Sequence, residues 1–193
     1  MVQVKDDVTV KEYFEEYVPK IFSEQLENTA VMGMEGTTAA IMFNVAGEGQ
    51  KHTYSLVVRD AKDLKVVPGP AENPLLTLEM TEEVWRDAVT GKIGGAVEMF
   101  TDMGQMANRA RFDKVSAIKG TLALDLSREG GDNTELSIIF NGADSPKATF
   151  QCSLDTWVKM STGELSGVTA FMGGQLKIEG DMPFAVELSS IVA

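Results

Sequence analysis

The sequence predicts a mixed fold of helices and strands built from two similar units. Three observations carry this: two long stretches align with each other, each holds the order strand, capped helix, glycine stop, and no Pro/Gly/Ser linker parts them. The stretch LTLEMTEEVWRDAVTGKIGGAVEMF from Leu76 lies over ATFQCSLDTWVKMSTGELSGVTAFM from Ala148 at a constant shift of 72. Trp85 then meets Trp157, Thr90 and Gly91 meet Thr162 and Gly163, and Gly95 meets Gly167. Upstream, TTAAIMFNVAGEGQKHTYSLVV from Thr37 lies over IKGTLALDLSREGGDNTELSII from Ile118 at a shift of 81. The difference of nine residues is a deletion, because RDAKDLKVVPGPAENPL shortens to FNGADSPK in the second half.

The elements follow in order. Thr9 with Glu12 three residues later makes a capping box ahead of Val10, Tyr13, Phe14, Tyr17, Ile21 and Phe22, which recur at helical spacing. Pro19 interrupts this helix, so a kink, or a break at Val18 with a restart, is expected. Strands are expected over Ala39 to Val45, Thr53 to Arg59, Leu64 to Val67 and Leu75 to Met80. Thr81 and Ser153 stand where helix N-caps belong, with Glu82, Glu83 and Asp155 in the first turns. Gly91 and Gly163 stand where left-handed residues end those helices. After Met172 the second unit turns at Gly173 and Gly174 into QLKIEGD, whose Leu176 and Ile178 alternate with Lys177 and Glu179 as a half-buried strand requires. The first unit instead continues past Phe100 into a helix carrying Met99, Met103, Met106 and Ala110 on one face. The halves are expected over residues 1–101 and 102–193, packed as one compact body, the first without an LKIEGD-type strand.

Composition narrows the function. With 44% hydrophobic residues the 193-residue chain can fill a core, and its net charge of -12 repels nucleic acid and anionic membrane surfaces. No apolar run is long enough to span a bilayer and the N-terminus has no signal-peptide pattern, so a cytoplasmic protein without stable membrane insertion is expected. One cysteine, Cys152, and one histidine, His52, cannot make a zinc cluster, and no cofactor or metal is expected. The eleven methionines fit either an adaptable ligand surface or a loosely packed core.

Each candidate for chemistry has a plainer reading beside it. The glycines of TGELSGVTAFMGG match neither a P-loop nor a dinucleotide fingerprint, and helix stops and turns account for them better. His52 in GEGQKHTYS reads as a solvated residue in a hairpin-like connection, and Cys152 as a buried, inert thiol. The acid pairs Glu15 with Glu16 and Glu82 with Glu83 read as solvated groups. Arg109 and Arg111 could pair a ligand carboxylate or form the solvated back of a helix. No catalytic residue emerges, and an enzyme is not expected. What remains is apolar: Trp157, Met160, Leu165, Val168, Phe171, Met172, Leu176, Ile178, Met182 and Phe184 fit a core or a cavity equally well.

The stretch TGELSGVTAFMGGQLKIEGDMPFAVEL resembles the C-terminal hallmark of the sterol carrier protein 2 (SCP2) family, through Thr162, Gly163, Leu165, Ala170, Phe171, Met172, Gly174, Leu176, Lys177, Ile178, Gly180, Asp181 and Met182. TVKEYFEEYVPKIF and the strands that follow resemble the family's opening helix and sheet, so the resemblance covers most of the chain as two copies. It implies an α+β fold, a mostly antiparallel sheet covered by helices on one face and here internally duplicated, around an apolar tunnel. The tunnel would bind a hydrophobic lipid ligand (sterol, fatty acid, acyl-CoA or phospholipid) without catalysis. By that resemblance Trp157, Phe171, Met172, Leu176, Ile178, Met182 and Phe184 line or close the tunnel, with Met160 and Leu165 in the same lipid-binding set. SSIVA at the C-terminus lacks a Ser-Lys-Leu type address, which again suggests the cytosol. The alternative is an accessory module of a lipid-metabolising enzyme system, its tunnel collapsed and its fold turned to binding a protein partner.

Overall fold

Proline decides how the chain enters its fold. The computed structural model describes residues 2–93 and 107–192, the last four of these by their backbone alone. Thr9 caps α1 (Val10–Glu12), its Oγ1 accepting the Glu12 N–H at 3.1 Å. A π-helical turn follows over Tyr13–Tyr17, and α2 (Val18–Glu27) restarts with Pro19 in its first turn. Pro19 has no N–H to donate, and the wider turn before it moves the missing bond to a place where none is needed. The expected break at Val18 is thus a π turn, closed by the Val18 N–H donating to the Tyr13 carbonyl.

Among the described residues, eight strands form one sheet in the order β3-β2-β1-β4-β6-β5-β7-β8. They are β1 (Thr38–Gly47), β2 (Gln50–Arg59), β3 (Asp63–Pro68), β4 (Leu76–Thr81), β5 (Gly120–Ser127), β6 (Thr134–Phe140), β7 (Lys147–Ser153) and β8 (Leu176–Gly180). The pairings β1–β4 and β5–β7 are parallel and the others antiparallel. The architecture is α+β, a large mostly antiparallel sheet with helices. His52 is corrected here: it lies within β2 opposite Val45, not in a connection, because Glu48 and Gly49 alone make the turn, with Gly49 at φ +76°.

Pairing carries apolar side chains across the sheet in register. One row runs Tyr54, Phe43, Leu78, Ile138, Leu122, Ala148, and all six are buried. The residues between them in sequence, such as Glu135, Ala123, Thr149 and Lys177, are more exposed and point to the other face. The helices therefore cover the face that carries these rows: α3 (Glu82–Val89), α5 (Leu154–Ser161), α6 (Gly167–Met172) and α7 (Met182–Val192), with α4 (Arg109–Ala117) packed on α7. The expected helix through Met99, Met103 and Met106, and the expected boundary between Thr101 and Asp102, lie outside the described residues.

α3 and α5 leave their strands by the same device. Thr81 Oγ1 accepts the Val84 N–H at 3.2 Å and Ser153 Oγ accepts the Thr156 N–H at 3.1 Å. Both helices end at a glycine with positive φ, Gly91 at +81° and Gly163 at +77°. Each cap satisfies a helix N–H that otherwise lacks a partner. Replacing Ser153 or Thr81 with alanine should therefore cost about 1 kcal/mol, a fall in melting temperature of about 2–4 °C for a chain of this size by calorimetry.

Gly120 is a harder constraint. Its φ is +136°, and a Cβ there would meet the Pro146 carbonyl oxygen at 2.5 Å and the Phe184 ring at 2.8 Å. Gly120→Ala should cost about 3 kcal/mol through overpacking and strain. Gly163→Ala, where nothing lies within 4 Å of the added Cβ, should cost only the backbone penalty of about 1 kcal/mol. Paired urea titrations check the difference.

Candidate apolar ligand pocket

Three short elements after β7 build a cavity against the second half of the sheet. On α5, Trp157 and Met160 point inward and are 0% and 3% exposed, while Asp155 and Lys159 pair outside at 2.6 Å. The Gly163 stop turns the chain back, and the Leu165 N–H donates to the Lys159 carbonyl at 3.0 Å, which carries Leu165 over the pocket. Ser166 caps α6, its Oγ accepting the Thr169 N–H at 3.1 Å. Gly174 at φ +72° then reverses the chain into β8, where Leu176 pairs Cys152 and Ile178 pairs Phe150. Asp181 Oδ1 accepts the Phe184 N–H at 2.8 Å and so starts α7. Spacing on α7 puts Met182, Ala185 and Val186 on the pocket side.

The cavity measures about 360 Å³, and its wall is formed by Phe150, Trp157, Met160, Gly163, Leu165, Ser166, Gly167, Val168, Phe171, Leu176, Ile178, Met182, Ala185 and Val186. Among the described residues no charged side chain lines it. Its mouth is apolar too, since Val168 is 62% and Val186 65% exposed, with Phe171 and Met182 half-exposed. Apolar surface of this kind normally lies inside a protein, and a contiguous patch of it around a cavity marks a binding site.

The structure brings Trp157, Met160, Leu165, Phe171, Leu176, Ile178 and Met182 together around this cavity. Two of the expected wall residues lie elsewhere. Met172 ends α6 on its outer side and is 82% exposed, because the helix is too short to turn both Phe171 and its neighbour inward. Phe184 is 2% exposed and belongs to the core: its ring fills the space that Gly120 leaves open and meets Phe140 edge-on at 6.5 Å. Phe150, Ala185 and Val186 were missed. Phe150 alternates with Gln151 as any core strand residue does, but the i, i+3, i+4 spacing of Met182, Ala185 and Val186 was a usable signal.

The other candidate groups stay apart from the pocket. Cys152 is buried, and burial, with the Asp125 charge adding to it, pushes its thiol up to about 11, so the nucleophilic thiolate is suppressed. Arg109 Nε pairs Asp113 Oδ1 at 2.9 Å on α4. Glu82 pairs Arg86 at 2.6 Å, and Glu15 Oε1 accepts the Tyr54 hydroxyl at 3.2 Å. Among the described residues no group of three or more His, Cys, Asp or Glu side chains is placed to hold a metal ion, and no helix is long and apolar enough to cross a membrane. What the arrangement can do is enclose an apolar body.

Trp85, which lies over Trp157 in the sequence alignment, has filled surroundings. Tyr13 packs edge-on to Trp85 at 5.6 Å, Phe14 stacks on Tyr54 at 4.8 Å, and Arg86 lies over the Trp85 ring at 5.7 Å.

Among solved structures, the chain is similar to a sterol carrier protein domain 2 from Helicoverpa armigera, with 21% identity, 54% of this chain and 84% of that one covered, and a TM-score of 0.36. It is also similar to sterol carrier protein 2 like 2 from Aedes aegypti, with 11% identity, 94% and 98% covered, and a TM-score of 0.25. Among curated proteins, hydroxysteroid dehydrogenase-like protein 2 from Bos taurus is 39% identical over 75 residues, 38% of this chain. The Xenopus tropicalis protein of the same name is 34% identical over 88 residues, 42% of this chain. The matches span only 16% and 21% of those proteins' own lengths. Residues 100–193 match the model of the SCP-2 sterol transfer family, and every residue lining the pocket falls within that matched stretch.

Proposed function

We propose that this protein binds a hydrophobic lipid in the pocket of its second half and carries it without catalysing a reaction. The observation that supports this best is an apolar cavity of about 360 Å³ with an apolar mouth, lying inside the SCP2-matched residues. A sterol, fatty acid, acyl-CoA or phospholipid is the class of ligand, and the cytoplasm is the compartment in which a carrier of this kind would work. We also read the two halves as copies of one unit. In support, β1 pairs β2 antiparallel and β4 parallel, as β5 pairs β6 and β7, and Thr81 and Ser153 cap the helices that follow. On this reading the first copy is structural, since Tyr13 and Phe14 occupy its interior.

Native mass spectrometry of freshly purified protein should show a co-purified lipid, and the emptied protein should take up a fluorescent sterol or fatty acid. Ile178→Trp places a larger ring in the wall and should weaken uptake at least tenfold (about 1.4 kcal/mol), with an unchanged circular dichroism spectrum. A wild-type protein of clean apo mass that takes up neither probe would sink the proposal.

The second reading is an accessory module that docks on a lipid-metabolising enzyme. It is favoured by one observation, that the curated relatives are named hydroxysteroid dehydrogenase-like proteins and are matched over a small part of their length. A stoichiometric enzyme in pulldowns, together with no lipid uptake, is the outcome that selects it.

A further inference from the structure

Oxidisable sulfur is distributed unevenly around the pocket. Among the described residues its wall holds two thioethers, Met160 on α5 and Met182 at the start of α7, while a third, Met172, ends α6 outside it. Met160 is 3% exposed and Met172 82%, so the first is in the wall but shielded and the second is open but out of the wall. Met182 alone among the described methionines is both: it lines the cavity and is 40% exposed at its mouth.

The backbone beneath Met182 is held by other side chains. Asp181 Oδ1 accepts the Phe184 N–H at 2.8 Å, and the Phe184 ring, 2% exposed, sits over Gly120 and against Phe140. A chemical change at the Met182 sulfur therefore leaves the anchor of α7 in place. What it alters is the mouth, where Met182 stands one turn from Ala185 and Val186. Cys152, the chain's one thiol, does not compete for an oxidant, because burial keeps it protonated and the thiolate is the reactive form.

We propose that Met182 is an oxidation-sensitive element of the pocket, at which hydrogen peroxide switches ligand uptake off and reduction of the sulfoxide switches it back on. The inference rests on reading the pocket as a lipid site and adds a modifiable residue to it. The thioether sulfur attacks one peroxide oxygen, so that the O–O bond breaks and an S–O bond forms. The sulfur gives up an electron pair, the departing hydroxide takes the proton from the sulfur-bound oxygen, and the products are the sulfoxide and water. A flexible apolar side chain becomes a polar one. Its new oxygen either lies against the apolar body of the ligand, which is costly without a hydrogen bond, or turns to water and draws the side chain out of the wall. Both courses weaken uptake.

The test titrates hydrogen peroxide against the wild-type protein, locates the added oxygen by peptide mass spectrometry and follows binding of a fluorescent sterol. Met172 and Met182 should gain oxygen before Met160. Affinity for the probe should fall by about tenfold or more in step with sulfoxide at Met182, and methionine sulfoxide reductases acting on both epimers should restore it. Met182→Leu, compared with its own untreated value, should change by less than about twofold at the same dose, whereas Met172→Leu should lose affinity as the wild type does. Binding that survives full oxidation of Met182 overturns the proposal, as does a loss that persists in Met182→Leu, or Met182 resisting a dose that oxidises Met172. Should Met182→Leu not fold, the wild-type titration decides alone, since a loss that follows any other methionine also overturns the proposal. A probe that does not bind the untreated wild-type protein overturns the lipid-site reading itself.

Discussion

The structure depends most on the seam between β4 and β6. Leu76, Leu78 and Met80 face Phe140, Ile138 and Leu136 across it, and through it the two halves share one sheet and one buried face. The seam also settles which strand covers the outer edge of β4. The edge of β7 is covered by β8, which pairs antiparallel just as β6 pairs with β4. An exposed strand edge is a liability that folds avoid, and β6 covers that edge of β4. The short strand β8 brings Leu176 and Ile178 to the pocket.

Space is left unevenly around the two tryptophans. Around Trp85 the entering helix fills the volume, with Phe14 1% exposed and in ring contact with both Phe43 and Tyr54. The fit is tight enough to tolerate a buried Trp85 Nε1 without a hydrogen-bond partner, a cost of about 1–3 kcal/mol set against a cluster of six aromatic rings. Around Trp157 the described residues leave a cavity: α4 turns its Phe112 toward Met34 and Ala61, a separate small cluster. Trp85 and Trp157 thus stand in opposite settings, one sealed and one beside a cavity.

Much of this was legible in the residues because it is local. Thr81, Ser153, Gly91 and Gly163 act within one turn of themselves, and their roles follow from side-chain reach and the sign of φ. The strand at Leu176–Gly180 could be read because its alternation is strict. What escaped is tertiary. His52 looked like part of a loop because its neighbours are polar, yet pairing with Val45 holds it in β2. Phe184 looked like a wall residue because it is large and near others, and only the missing side chain of Gly120, sixty-four positions away, shows where its ring goes. Met172 failed for the opposite reason: periodicity across a six-residue helix cannot say which of two adjacent apolar residues faces in.

An open apolar pocket is a standing cost to the fold that carries it. Wall atoms facing a void lose the dispersion contacts a packed core supplies, and each square ångström of apolar surface left in water forgoes about 25 cal/mol. Val168, Phe171 and Val186 are neither packed nor polar, and a chain selected for stability alone would close over them or charge them. The surroundings of Trp85 show how such space can be filled, since Tyr13 and Phe14 are enough to do it there. Keeping the second half open therefore makes physical sense only if something returns the lost burial, and an occupant does so in proportion to its affinity, by about 2.7 kcal/mol at a hundredfold excess over its dissociation constant. On the proposed reading, the stability withheld from the empty fold is what couples its folding to ligand, and the helices α6 and α7 that carry the mouth are where that coupling acts.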